Sequence, residues 1–266
     1  MLYDVSELKV KGSTSIIDFA AEGVGAWQTW DRYLTVDGKK AFHIGNICGT
    51  CEFFFERLEG ANNGVNKRVN VEAVVNELNA GIRKLDPALV KALSLMVPDG
   101  KYKVLLQDIQ PRLVIPREEA DYFTKEQVTL WGVDAWEPPH FPHTEYYRLK
   151  TKTISDGKGF FEFLVPMFPH GWLQQERLDE YAAAFKNGGM PTAVSISVFD
   201  VKSPADWDEK QDVTSHCCLA HYLIDGHHKA YAAAEQGKPI TLLSFLAVNQ
   251  GISSEEDIAQ LVQWLR

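Results

Sequence analysis

The sequence predicts a mixed α+β and α/β fold, and two observations lead to this prediction. The last third of the chain alternates apolar stretches of strand character with amphipathic helical stretches, an order typical of α/β units. The first third has mostly strand character, with Asp37-Gly38 as a hairpin turn between residues 33–35 and 41–44. We therefore expect a C-terminal α/β core preceded by an N-terminal β-rich and helical region.

Two helices and a strand are predicted in the middle of the chain. Apolar residues at helical spacing indicate the first helix: Val71, Val74, Val75, Leu78 and Ile82. Asp86-Pro87 supplies an N-cap and a proline at the first position of the second helix. Residues 101–109 then have the pattern of a strand.

A proline-rich stretch marks the predicted domain boundary. Residues 137–143 contain three prolines, which can continue neither a helix nor a central strand. We therefore divide the chain into regions 1–143 and 144–266.

The second region has the more regular pattern. Its predicted elements are a hairpin with arms 145–154 and 159–168, a helix at 174–186, strands at 192–201 and 217–224, a helix at 227–236, a strand at 240–248, and a final helix capped by Ser253 and Glu256. The order strand, helix, strand, strand, helix, strand is an α/β arrangement.

Composition and charge restrict the classes of partner. The chain has 266 residues and a formal net charge of −9, and this acidic balance argues against general nucleic-acid binding. It contains no apolar run of the roughly 18–20 residues that a membrane-spanning helix needs. The first residues lack a basic segment followed by an apolar one, so we expect a cytoplasmic location. The sequence predicts no oligomeric state.

The turn Asp225-Gly226-His227-His228-Lys229 carries the main functional prediction. Here an apolar strand ends and a helix begins at once, so the unpaired amides and positive dipole end of the first turn can bind an anion. We expect Gly226, His228 and Lys229 to bind a phosphate, with Lys229 as a point charge. His227 and His228 are candidate catalytic groups because histidine transfers protons near neutral pH. The alternative is an ordinary turn, with Asp225 as N-cap and two surface histidines.

The turn and its flanks resemble the core of the ParB/sulfiredoxin-like superfamily. The run from Leu223 to Ala234, followed by residues 237–240, is similar to that family's strand, Gly-x-His-Arg-like turn, small-residue helix, glycine and closing strand. The upstream helix, a Gly-Gly pair and the strand at 192–201 follow the same order. The resemblance covers about residues 145–250.

The resemblance implies a nucleotide at the turn, such as ATP, and chemistry on its phosphates. Known members include partition proteins, an ATP-dependent sulfinic acid reductase and an ADP-dependent serine kinase, so the fold does not fix the reaction. In a phosphoryl-transfer or nucleotide-hydrolysis enzyme we expect Mg²⁺ to assist through a carboxylate. Asp225 is the nearest candidate carboxylate and completes the predicted catalytic set.

Two residues depart from the family pattern. Sulfiredoxin has a reactive cysteine immediately before the His-Arg pair, where this chain has His227, so sulfinic acid reduction by that route is not expected. Lys229 replaces the usual arginine, which keeps the charge but loses the bidentate guanidinium.

A second candidate site is the Cys48-Gly49-Thr50-Cys51 stretch. Its spacing is that of a zinc knuckle, with His43 as the candidate third ligand. Further candidates for the ligand set are His140, His143, Cys217 and Cys218. The pair Cys48 and Cys51 can instead be a redox pair at a helix start, or two half-buried thiols. In a reducing cytoplasm a disulfide framework is not expected.

Three functions follow as hypotheses. The first is an enzyme that binds a nucleotide or another phosphate-bearing small molecule at residues 225–229. The second is a non-catalytic module that senses such a ligand or contacts another protein and carries a structural zinc site. The third, zinc-dependent hydrolysis, needs an open coordination position, and the sequence lacks a His-Glu-x-x-His motif for it.

Overall fold

The structure of the protein is a computed structural model that describes residues 1–63, 72–133, 140–154, 157–205 and 214–266. Parts of three predicted features lie outside these ranges: Val71 of the first helix, residues 137–139 of the proline-rich boundary, and residues 155–156 between the two arms of the hairpin. Strands and helices from both halves of the chain form a mixed α+β fold, which confirms the predicted fold class.

The strands lie throughout the chain. Among the described residues they are β1 (Leu2–Val10), β2 (Ile17–Glu22), β3 (Asp31–Val36), β4 (Lys39–Asn46), β5 (Glu56–Arg57), β6 (Gly100–Ile109), β7 (Arg112–Val114), β8 (Tyr146–Thr153), β9 (Lys158–Pro166), β10 (Thr192–Lys202), β11 (Ser215–Asp225) and β12 (Ile240–Ala247).

The α-helices are short. Among the described residues they are α1 (Glu72–Ala80), α2 (Pro87–Leu93), α3 (Glu126–Trp131), α4 (Gln175–Lys186), α5 (His227–Gln236) and α6 (Glu255–Leu265). Within the described ranges, no helix has the length and apolar character that crossing a bilayer requires.

Local sequence signals account for several of these elements. Asp37 and Gly38 join β3 to β4 with positive φ angles of 52° and 73°, as a tight hairpin turn requires. The Asp86 side chain accepts hydrogen bonds from two amides of the first turn of α2, as predicted. Helix α6 has a capping box made by Ser254 and Asp257, one residue later than predicted.

The strands form two sheets. The large sheet has the order β1-β6-β12-β10-β11-β9-β8-β7, and the small sheet has the order β2-β3-β4-β5. In the large sheet β10 is parallel to β12 and β11 is parallel to β9, whereas all other neighbours are antiparallel. The predicted boundary after residue 143 falls between β7 and β8, which pair with each other. The two predicted regions therefore share one sheet.

The chain folds in three layers. The small sheet packs on one face of the large sheet, and the largest apolar cluster lies between them. Helices α4 and α5 cover part of the opposite face, and α6 covers another part. Successive side chains of β11 point to opposite faces of the large sheet. Cys218 belongs to the cluster between the sheets, and Cys217 belongs to the cluster under α6. Both cysteines are buried and free.

A buried ion pair joins the two sheets. The two NH groups of Arg32 on β3 donate to the two carboxylate oxygens of Asp200 on β10, at 3.1 and 2.6 Å. The guanidinium also donates to three carbonyl oxygens, those of Asn46, Ile44 and Gln250. All five guanidinium N–H groups therefore have an acceptor, which offsets the loss of hydration on burial.

We expect Arg32→Met to lower the free energy of unfolding by about 3–5 kcal/mol, because it leaves the buried Asp200 carboxylate without its partner. The double variant Arg32→Met/Asp200→Leu should lose less than the sum of the two single variants, since it removes both charges. Urea unfolding measures these differences. Lys103→Met, which removes the exposed Lys103–Glu7 pair, is the control and should change stability by less than about 1 kcal/mol. An Arg32→Met protein as stable as this control would contradict the role of the pair.

Candidate metal centre and the predicted anion site

His43 and Glu56 lie opposite each other on adjacent strands of the small sheet. They are register partners in the antiparallel pair of β4 and β5. His43 is buried, and its Nδ1 lies 3.8 Å from Oε2 of Glu56. Side chains of directly opposed residues project from the same face of a sheet, so this pairing holds an imidazole and a carboxylate together.

His140 completes a group of three possible metal ligands. Its ring stacks on Phe54 at a centroid distance of 3.8 Å and meets the His43 ring edge-on at 5.5 Å. One ligand atom from each of His43, Glu56 and His140 lies within 4.8 Å of the others. Ligand atoms on a tetrahedral zinc ion are about 3.3 Å apart, so closing on an ion requires side-chain movements of about 1 Å.

Asp31 orients the His43 ring. Its carboxylate oxygen Oδ1 lies 3.1 Å from Nε2 of His43. A carboxylate only accepts hydrogen bonds, so Nε2 carries the proton and the lone pair of Nδ1 faces Glu56. Histidine ligands of metal ions almost always donate their second N–H to such a partner. Burial lowers the pKa of His43, against the opposing effect of Asp31, which favours the neutral ring that binds metals.

His143 lies next to the same group. Its Nε2 is 3.4 Å from Oε1 of Glu56, the carboxylate oxygen that does not face His43. The His143 side chain is 55% exposed, in contrast to the buried His43. His143 therefore contacts a candidate ligand from the solvent side.

The predicted ligand set of Cys48, Cys51 and His43 is wrong in this structure. Cys48 and Cys51 form a disulfide, so neither sulfur is a thiolate that can bind a metal. His43 points across the sheet to Glu56, whereas Cys48 follows the end of β4, five residues and roughly 16 Å of extended chain away. His140, which is also a candidate ligand, does contact the His43 ring. Glu56 and Asp31 could not be predicted, because their pairing with His43 depends on strand register.

The predicted strand–turn–helix arrangement is present at residues 225–229. Strand β11 ends at Asp225, Gly226 has a left-handed φ of 98°, and α5 begins at His227. A Cβ atom at Gly226 would lie 2.8 Å from the Cβ of Ala193, so packing against β10 requires glycine as well.

Lys229 points into the protein. Its side chain is 4% exposed, and Nζ donates to the carbonyl of Thr192 at 2.9 Å and to Oδ2 of Asp225 at 3.2 Å. Burial lowers the pKa of Lys229, and Asp225 opposes this effect. The ammonium group therefore ties the turn to the start of β10 and neutralises the Asp225 carboxylate.

The two histidines of the turn hold the segment that precedes α4. The amide of Met167 donates to Nε2 of the buried His227 at 3.0 Å, and the ring stacks on Phe168 at 3.8 Å. The amide of Gln174 donates to Nε2 of His228 at 3.0 Å. Both rings accept a backbone hydrogen bond, so each Nε2 is unprotonated. These contacts are structural, and the catalytic and binding roles assigned to residues 225–229 stay predictions.

Burial lowers the pKa of His227 to about 3, and His228 and His170 add smaller effects in the same direction. The unfolded chain binds a proton at this residue near pH 6.5, whereas the folded chain does not, so its contribution to stability falls as the pH drops below about 6.5. We expect His227→Gln, whose amide oxygen can accept the Met167 bond, to lose about 2 kcal/mol less stability than the wild type between pH 7 and pH 5.

Urea unfolding at the two pH values measures this difference. His143→Gln is the control, because the His143 side chain is exposed, and it should follow the wild type. Parallel losses in wild type and His227→Gln would mean that His227 titrates normally in the folded protein.

The comparisons with known proteins give no relatives: the chain matches no family model, no curated protein and no solved structure.

Proposed function

We propose that the protein binds a divalent transition-metal ion through His43, Glu56 and His140. The observation that carries this proposal is the convergence of two imidazoles and a carboxylate from three segments of the chain, with ligand atoms within 4.8 Å of one another. The contact between Asp31 and the outer nitrogen of His43 supports it, because ligating histidines are usually held in this way.

The donor set fits zinc. Two imidazole nitrogens and one carboxylate oxygen are ligands that Zn²⁺ takes readily, whereas Mg²⁺ and Ca²⁺ prefer oxygen alone. Three protein ligands leave the fourth tetrahedral position to a water molecule or a substrate oxygen, as in catalytic zinc sites. We propose that this position is open, with His143 beside the second oxygen of Glu56. Zinc there would lower the pKa of a bound water to about 7 and supply a hydroxide for hydrolysis.

We expect His43→Ala, Glu56→Gln and His140→Ala to weaken Zn²⁺ binding more than Asp31→Asn, for which the loss should be about 10–100-fold because it removes only the partner of a ligand. His143→Ala is the matched control for His140→Ala; it removes only an exposed neighbour of Glu56 and should lose less affinity than Asp31→Asn. The measurement is Zn²⁺ titration of the full-length protein against a chromophoric chelator, with metal analysis of the purified chain and the disulfide kept oxidised.

Two results would contradict the proposed centre. One is a wild-type chain that does not compete with the chelator for Zn²⁺. The other is an equal loss of affinity in His140→Ala and His143→Ala, which would show that binding does not depend on the assigned geometry.

A second candidate function is nucleotide or phosphate binding at Gly226. The strand–turn–helix arrangement supports it. The amides of the first turn of the ten-residue α5 have no acceptor within their own helix, and they form the positive end of the helix dipole, where an anion can bind. The predicted Mg²⁺ ion would contact the Asp225 carboxylate. One oxygen of this carboxylate already pairs with the Lys229 ammonium group. The same turn could serve catalysis, as phosphoryl transfer or nucleotide hydrolysis, or ligand sensing without catalysis.

Thermal unfolding with ATP, ADP, CTP and GTP, with and without Mg²⁺, tests the second candidate. A ligand at 100 times its Kd should stabilise the fold by about 2.7 kcal/mol and raise the melting temperature. His228→Ala is the test variant, since His228 is only half-buried, and it should abolish the shift; His143→Ala should not. Lys229→Ala should lower stability even without ligand, because Lys229 is buried.

The absence of any shift with millimolar nucleotide would reject the second candidate. If a shift is seen, turnover of labelled nucleotide distinguishes an enzyme from a sensor. The cytoplasmic location and the lack of general nucleic-acid binding stay predictions of the sequence.

A further inference from the structure

The Cys48–Cys51 disulfide closes a very short loop at the surface. The two cysteines are three positions apart in the segment between β4 and β5. Both are half-buried, and Gly49 and Thr50 between them are exposed. Solvent therefore reaches the segment that carries the disulfide.

The loop is held in place by hydrogen bonds that do not involve sulfur. The amide of Cys48 donates to the Asn46 side chain at 3.0 Å, and the amide of Ser203 donates to the carbonyl of Gly49 at 3.0 Å. The indole N–H of Trp131 donates to the carbonyl of Thr50 at 3.2 Å. These contacts hold the backbone of the loop through atoms other than sulfur.

A cross-link between residues three apart also adds little stability. Disulfides stabilise proteins mainly by restricting the unfolded chain, and the restriction grows with the length of the closed loop. A loop this short restricts the unfolded chain least. Stabilisation of the fold therefore does not explain why this disulfide is present.

Two polar side chains lie next to Cys48, one against its backbone carbonyl and one against its sulfur. The ammonium group of Lys202, a fully buried side chain, donates to the carbonyl of Cys48 at 2.6 Å. The hydroxyl of Thr50 lies 3.4 Å from the sulfur of Cys48. Burial lowers the pKa of Lys202 to about 8, so its charge is present at pH 7. Nearby cations and donors lower the pKa of a thiol in a Cys-x-x-Cys pair.

We propose that Cys48 and Cys51 are a redox-active pair that exchanges two electrons with thiol compounds by thiol–disulfide exchange. The substrate class is a thiol or dithiol, either of low molecular mass or on a protein. This activity is independent of the metal centre, which uses neither sulfur.

The exchange balances as two displacements at sulfur. A thiolate of the reductant attacks the sulfur of Cys51 and forms a mixed disulfide, while the sulfur of Cys48, which lies next to the Thr50 hydroxyl, leaves as a thiolate. A second thiolate then attacks the reductant's sulfur in the mixed disulfide and releases Cys51. The protein disulfide is reduced to two thiols, and two reductant thiols are oxidised to one disulfide.

Cys217 and Cys218 provide an internal control. Both are fully buried, and burial raises the pKa of Cys217 to about 12. Thiols of this kind react only when the protein unfolds.

The test uses the full-length protein under native conditions, treated with dithiothreitol, with glutathione, or with a protein dithiol of the Cys-x-x-Cys class. Alkylation and peptide mass analysis should then show two labelled thiols per chain, Cys48 and Cys51, and the circular dichroism spectrum should stay unchanged. The three reductants distinguish a small thiol substrate from a protein one.

Two variants test the assigned roles. Oxidised glutathione should convert Cys51 of the Cys48→Ser variant to a mixed disulfide with release of one glutathione thiolate. After removal of the excess glutathione this mixed disulfide should persist, because the thiol of Cys48 that would displace the glutathione is missing. Thr50→Val should slow alkylation of Cys48 at pH 7 by about threefold, because it removes the hydroxyl next to the Cys48 sulfur. Thr50 is exposed, so this variant should fold normally.

Two results would overturn the proposal. One is a disulfide that resists all three reductants until the protein unfolds, which would make it structural. The other is a purified wild-type protein that carries Zn²⁺ and loses it in both Cys48→Ser and Cys51→Ser, which would make the pair a metal-ligand set.

Discussion

The placement of the small sheet depends on two polar side chains of a central strand. Asp200 on β10 binds the guanidinium of Arg32, and Lys202, two residues further, binds the backbone that follows β4. Residues two apart on a strand face the same side, so both reach into the layer between the sheets. A charged side chain in this layer is stable only when its N–H groups all have acceptors. The acceptors of Arg32 and Lys202 lie on β4, on β10 and in the cysteine loop, so these hydrogen bonds hold β3, β4 and the cysteine loop in place relative to β10. His43 of the proposed metal centre and the proposed redox pair lie on β4 and the segment that follows it, which these two residues hold.

Elements with a local signal could be predicted from the sequence, and the sheet could not. The Asp37-Gly38 turn and the Asp86 cap depend on a few adjacent residues, so their positions follow from residue type. The order of the large sheet depends on pairings such as Ile240 with Ile109, which no local pattern encodes. The proline-rich stretch is predicted as a domain boundary for its local sequence alone. It lies in the segment between β7 and β8, which are neighbours in one sheet.

The candidate sites show the same limit in chemical terms. A Cys-x-x-Cys spacing suits a zinc knuckle and a disulfide equally, and only the three-dimensional arrangement separates them. His43 could be predicted as a ligand, but its partners come from the register of β5 and from a segment almost 100 residues away. At the Gly226 turn, glycine, histidine and lysine suit an anion site, yet the side chains that the sequence assigns to phosphate brace neighbouring backbone in the structure.

The strand order has a consequence for the order of events during synthesis. Strand β6 lies between β1, which precedes it, and β12, which is made more than 100 residues later. Until β12 leaves the ribosome, one edge of β6 has an unpaired row of amides and carbonyls and an apolar face. Pairings of such high sequence separation also close slowly, because the entropy of a long loop is lost before the contacts form. The nascent chain can therefore aggregate through the open edge of β6 until β12 is made. The time that β12 then takes to pair with β6 determines how long this risk lasts.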